Sequence, residues 1–258
     1  MSIHFGNPSL FSTFKEIVPL YSTKEFQSPT RSTIPMLSML VHQQETFTGI
    51  IEELGMPIES DIYLEYTVRQ DLGKGNASHT DVMVKSSDET LAIEAKWTEP
   101  MYDTVRQWIP KGKDEANRRL VLDGWLQLLQ QRVEKELKPA DFESSIYQMV
   151  HRAASAAAAG ENPRLAYFIF KPSPTPRAAT ADAIKQQLEL LWSALGSPSN
   201  FPFYVIEITV TEEEAYQPLK ALPKNEETSE AVSAALQGDS PLFGFEASEP
   251  AKIGGVSA

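Results

Sequence analysis

The sequence predicts an α/β protein built as a three-layer sandwich, with a central mixed β-sheet flanked by helices. Three observations carry this expectation. A segment with helical periodicity precedes a run of three strand-like segments, and helices then alternate with buried strands as far as residue 211. The apolar fraction, 41% of 258 residues, is ordinary for a globular chain, and at this length a substantial core forms without covalent staples.

Each element has a local reason. The first 30 residues carry Pro, Ser and Thr with scattered aromatics and are expected to wrap the surface. Pro35 sits where a helix can begin, and the helix is expected to end at Gly55. Its apolar positions Leu37, Leu40, Val41, Phe47, Ile51 and Leu54 recur at three- and four-residue steps. Three strands follow: DIYLEYTVRQ (61–70), SHTDVMVK (78–85) and TLAIEAKWT (90–98). They are separated by GKGN and SSDE, which read as hairpin turns. A helix is expected from Asn117 to Leu137, and a second from Glu143 to Ala159, with Asp141 as N-cap and Gly160 as stop. A buried strand at 164–172, a helix at 179–196 and a second buried strand at 201–211 complete the order α–β–β–β–α–α–β–α–β.

Composition narrows the chemistry. There is no cysteine, which excludes disulfides, thiolate zinc sites and cysteine nucleophiles. No apolar run reaches the ~18 residues needed to span a bilayer, and the opening residues lack a basic-then-apolar signal. A soluble cytoplasmic protein that avoids membranes is the expectation. The net charge of −12 argues against a surface coated in cations for nucleic-acid binding. The charge is uneven, however. Residues 211–258 hold 3 basic and 9 acidic side chains, half of the excess, whereas residues 105–119 hold 5 basic and 2 acidic ones. A single domain over 1–214, with a helical, basic insertion at 98–137, is therefore expected to precede an acidic, loosely ordered tail at 215–258. Within that tail a short helix is expected at Glu227–Leu236, and LFGF (242–245) is expected to dock on its own domain.

The unusual charges lie in the second and third strands. Alternation puts His79, Asp81 and Met83 on one face of the second, and Glu94 with Lys96 on one face of the third. Buried charge is costly unless it is paired or bound to metal. Two convergent carboxylates form a hard-oxygen site for Mg²⁺ or Mn²⁺, and a nearby lysine can orient water or stabilise developing negative charge.

Asp81, twelve residues, then Glu94-Ala95-Lys96, on consecutive strands after a helix, resembles the PD-(D/E)XK nuclease superfamily with its restriction-endonuclease-like core. The resemblance covers roughly residues 33–211. It implies that Asp81 and Glu94 ligate a divalent metal and that Lys96 assists the attacking water in phosphodiester hydrolysis, with DNA as substrate. Thr80 stands where the name-giving proline would be, and the 98–137 insertion also departs from the pattern. The resemblance further implies accessory roles for a first-helix carboxylate, Glu45 (with Glu52 and Glu53 as alternatives), and for Gln148 on the later helix.

Plainer readings stand beside these. The Glu-x-Lys triplet is common by chance, and Glu136-Leu137-Lys138 is a second one at a helix end. Asp81, Glu94 and Lys96 could form an ion-pair network in an inactive fold that serves as a protein-interaction or regulatory module. A protein partner or a second copy of the chain is compatible with either reading. Trp97, Trp108 and Trp125 near Arg106, Lys111, Lys113, Arg118 and Arg119 are either a nucleic-acid surface or core aromatics beside a solvated face. His151 reads as a polar contact between helices rather than a metal ligand.

Overall fold

The structure, a computed structural model, describes residues 2–6 and 9–254. Nine strands form one open, mixed sheet: β1 (Ile3–Phe5), β2 (Leu10–Phe11), β3 (Asp61–Val68), β4 (Ser78–Lys85), β5 (Glu89–Lys96), β6 (Asn162–Lys171), β7 (Phe203–Glu212), β8 (Phe243–Ala247) and β9 (Ala251–Lys252). The order is β2-β1-β3-β4-β5-β6-β7-β8, and β9 also pairs with β7. β3, β4 and β5 form an antiparallel meander, whereas β5, β6 and β7 run parallel. Parallel neighbours need long crossovers, which helices provide.

The helices are α1 (Thr23–Phe26), α2 (Thr33–His42), α3 (Gln44–Glu53), α4 (Val105–Trp108), α5 (Glu115–Gln130), α6 (Tyr147–Ala159), α7 (Ala181–Ala194), α8 (Gln217–Lys220) and α9 (Glu226–Gln237). Two hydrophobic clusters fill the spaces either side of the sheet. One joins α2, α3 and α9 to Val82, Val84, Leu91 and Ile93; the other joins α5, α6 and α7 to Met83, Ala92 and Leu165. The three-layer α/β sandwich is thus the architecture observed.

Several boundaries differ from expectation, each for a tertiary reason. The helix expected to run unbroken to Gly55 is interrupted at Gln43 (φ −136°, ψ 50°). There the Gln43 amide donates to the Phe243 carbonyl at 2.6 Å, and the His42 ring meets the Gly238 carbonyl at 3.1 Å. Gly55, with φ 82°, ends α3 as expected: the Met56 N–H reaches back to the Ile51 carbonyl in a Schellman closure. α5 stops at Gln130 rather than Leu137. α6 begins at Tyr147 rather than Glu143, because Glu143, Ser145 and Tyr147 are tied by backbone bonds to Arg106, Val105 and Asp103 and Ile146 is extended.

The expectation of a loosely ordered tail is corrected. Residues 214–254 form α8, α9, β8 and β9, with Tyr216, Leu219, Val232, Leu236, Leu242 and Phe243 buried. Residues 255–258 lie outside the described residues. The expected helix is present as α9, and LFGF docks on its own domain as β8, antiparallel to β7. Phe243 packs on Tyr216 and edge-on against Trp97, whose burial gives this polar segment an apolar anchor.

Candidate functional site

The site arises where the sheet forks. The β4–β5 ladder ends at the Val82–Ile93 pair. Beyond it, β5 continues along β6 through Glu94–Tyr167 to Lys96–Ile169, while β4 follows β3. The Ala95 N–H, which no longer has a β4 carbonyl, is taken by Asp81 Oδ2 at 2.7 Å. The opening is lined by Asp81, Glu94, Lys96, Gln148 and Arg152, and forms a cleft of about 670 Å³.

Glu94 is the hub. Its Oε1 accepts from Lys96 Nζ at 2.8 Å and from the Gln148 amide at 2.9 Å, while the Gln148 carbonyl oxygen accepts from Lys96 at 2.9 Å. Its Oε2 accepts a short hydrogen bond from Arg152, whose other arm donates to Ser78 Oγ at 2.7 Å. Glu94, Lys96 and Arg152 are all buried. Burial alone would raise the Glu94 carboxyl, but the charges and hydrogen bonds of Arg152 and Lys96 outweigh it and hold the group down to about 2. Asp81 goes the other way. Burial, then the charge of Glu94, pushes it well above the usual carboxylate range. One network therefore holds an ionised carboxylate beside a carboxyl that resists ionisation.

A break in strand alternation shapes this network. Glu65 sits in the left-handed region (φ 53°), and the β3–β4 ladder steps from Leu64–Val82 to Tyr66–Thr80 across it. A non-glycine residue there is strained by roughly 1–3 kcal/mol. Val82 and Val84 point to one core, yet Ser78, of the same parity, reaches α6 on the other side. The expectation that His79 shares a face with Asp81 is thereby corrected. His79 is exposed and turns to Thr67 and Glu65. Glu65 itself is raised to about 7, by burial and then by the charge of Glu25.

The expected residues divide clearly. Asp81, Glu94, Lys96 and Gln148 converge. Glu45 does not join them: it is exposed on α3 beside a separate groove, and Glu52 lines that groove too. The carboxylate that approaches from the N-terminal region is Glu25 on α1, paired with Arg31 at 2.8 Å. Arg152, one turn on from Gln148 along α6, follows it into the cleft by helical spacing, whereas Glu65 and Glu25 carry no spacing signal and are recognisable only once the fold is known. So is Glu99, which accepts from Ser32, Trp97 and Thr98 and fixes the loop after β5 to the start of α2. Tyr167, opposite Glu94 on β6, has a buried hydroxyl with no partner among the described residues.

His151 makes a polar contact, but to Ser78 Oγ on β4 at 2.9 Å rather than to another helix. Trp97 and Trp125 are core residues, and Trp108 stacks on Tyr147 at 3.6 Å. Arg106, Lys111 and Arg119 are paired with Glu143, Asp103 and Glu115. Of the two readings, core aromatics beside solvated ion pairs thus describes most of this strip.

Asp81 and Glu94 are hard oxygen donors, the kind that Mg²⁺ and Mn²⁺ take, and Asp81 Oδ1 has no protein donor among the described residues. In donor type the pair fits such a cation. In number it is sparse: no group of three or more His, Asp or Glu suited to a metal occurs among the described residues, and Arg152 engages Glu94 Oε2.

A family profile described as a domain of unknown function (DUF6946) matches residues 12–182. The chain belongs to this family. The DUF6946 match includes Glu25, Glu65 and every residue of the Glu94 network, and ends before β7, β8 and β9. No curated protein and no solved structure matches the chain. Among the described residues, no helix is long and apolar enough to cross a membrane.

Proposed function

We propose that the protein is a PD-(D/E)XK-like, metal-dependent phosphodiesterase acting on DNA. The observation that carries this reading is Gln148, which bonds both Glu94 and Lys96 in the cleft that Asp81 also lines. The meander β3-β4-β5 followed by parallel β6 across α6 supports it, being the strand order expected of a restriction-endonuclease-like core. The cleft lining adds further support. Lys24, Arg31, Lys96, Arg152, Arg177 and Lys224 outnumber Glu25, Asp81, Glu94 and Glu99 in a chain whose net charge is −12.

In this reading Asp81 and Glu94 would hold Mg²⁺ or Mn²⁺. A bound cation supplies Lewis-acid polarisation of a phosphoryl oxygen and lowers the pKa of water. Lys96, kept cationic because its surrounding negative groups, Glu94 first, together with its hydrogen bond to Glu94 outweigh burial, positions water or stabilises charge on the phosphate. Gln148 fixes the Glu94 and Lys96 rotamers. The expected outcome is that Asp81→Ala, Glu94→Ala or Lys96→Ala abolishes Mg²⁺-dependent cleavage of labelled DNA while circular dichroism is retained. Undiminished cleavage in these variants would sink the assignment.

The close engagement of Glu94 by Lys96, Gln148 and Arg152 favours a second reading, an inactive fold serving as a protein-interaction module. Calorimetric Mn²⁺ titration separates the two. Binding that vanishes in Glu94→Gln supports the enzyme, and absence of binding supports the module.

A further inference from the structure

A second cleft, of about 440 Å³, opens on the other side of α6. Residues four apart share a helix face, and the first turns of α6 use this to serve both openings. Gln148 and Arg152 line the Glu94 cleft, while Tyr147 and His151 line the second. Ser78 joins them, touching His151 Nδ1 at 2.9 Å and Arg152 at 2.7 Å.

Charge distinguishes the second cleft from the surface around it. Arg106, Lys111 and Arg119, on the same basic strip, are each paired with a carboxylate. The cations that line the cleft, Lys74, Lys113 and Arg118, form no ion pair among the described residues. Asp114 is the one acidic residue of the lining, and its carboxylate caps α5 by accepting from the Asn117 N–H at 2.9 Å. Two of the three residues are tethered by neighbours, Lys74 through its backbone and Arg118 through its side chain. Asn117 clamps the Lys74 backbone through two hydrogen bonds, of 2.6 and 2.8 Å. Arg118 lies 4.7 Å from the centre of the Trp108 ring, which is also stacked on Tyr147. With Trp108 engaged in this way, the cleft offers cations without carboxylate partners rather than a stacking platform, which is chemistry suited to backbone phosphates.

We propose that this cleft is a phosphate-binding subsite for the polynucleotide whose cleavage is assigned to the Glu94 cleft, so that the nucleic-acid backbone crosses the start of α6 between the two. The proposal rests on the nuclease reading for its ligand, and its test is made without catalysis. Anisotropy of a fluorescein-labelled single-stranded DNA is measured in EDTA with the full chain, its Lys74→Glu/Lys113→Glu variant, and Lys111→Glu as a paired-cation control.

The double reversal is expected to weaken binding about tenfold or more and to flatten the log K against log salt slope by roughly 1.4, about 0.7 for each single-strand phosphate contact. Lys111→Glu is expected to bind like the parent. Equal affinity of the parent and the double variant overturns the proposal, and so does a parent that binds no oligonucleotide. Quenching of Trp108 fluorescence by inorganic phosphate alone, with oligonucleotide affinity unaffected by the reversal, marks a free-anion site and also overturns it. Charge-dependent binding without Mg²⁺-dependent cleavage leaves the subsite standing and removes the catalytic reading.

Discussion

Glu65 combines an unfavourable backbone conformation with an unfavourable charge position. Its carboxyl is raised from an ordinary 4.5 to about 7 by burial and by Glu25, against the pull of Arg152. A carboxyl that holds its proton more tightly when folded costs nothing below pH ~4.5, where both states are protonated. As pH rises from ~4.5 to ~7 the unfolded chain ionises first, and stability falls by up to about 3 kcal/mol, then stays level. Glu65→Gln removes this titration. Urea denaturation is expected to find the variant more stable than the parent at pH 8 and nearly equal to it at pH 4.5. Equal destabilisation at both values would mean that Arg152 keeps Glu65 usefully ionised. The same residue explains why the site was only partly legible. Alternation correctly placed Asp81, Glu94 and Lys96 together, since β5 is regular there. It failed for His79 because the left-handed backbone at Glu65, within the opposing strand β3, leaves no mark in composition.

At the scale of elements, helices and central strands were readable because they are long and periodic, whereas four short strands were not. β1, β2, β8 and β9 span two to five residues and lie on or near the sheet edges, too short for alternation to register. The C-terminal segment misled further, because its many Glu, Ser and Ala residues hide a few large anchors. Phe243 is one: fully buried, it touches Tyr216 at a ring separation of 4.4 Å and Trp97 at 5.6 Å, directly after the Lys96 that serves the site. Phe243→Ala is therefore expected to cost about 3–5 kcal/mol in chemical denaturation, as core Phe truncations do. It is also expected to make 214–254 cleavable in limited proteolysis. A cost below about 0.5 kcal/mol, the level of an ordinary surface substitution, would return this segment to the status of a tail.

At the scale of the whole molecule, the net charge of −12 acquires a location. The six excess negative charges of 211–258 all fall within 212–252, which is folded onto the sheet, with α9 packed on α1 at the wall of the Glu94 cleft. The far field is negative, while cations without an ion pair among the described residues, such as Lys24, Arg177 and Lys224 in one cleft, and Lys74 and Lys113 in the other, act at short range. These two fields respond differently to salt. The screening length falls from about 30 Å at 0.01 M to about 8 Å at 0.15 M, which removes long-range repulsion before it removes contacts within a cleft. For a nucleic-acid enzyme of this design, the association rate with a DNA oligonucleotide in stopped-flow is expected to rise across that salt range. Equilibrium affinity is expected to fall over the same range, through counterion release and faster dissociation. A rate that falls with salt would show that the cleft cations, rather than the acidic body, govern the approach of a polyanion.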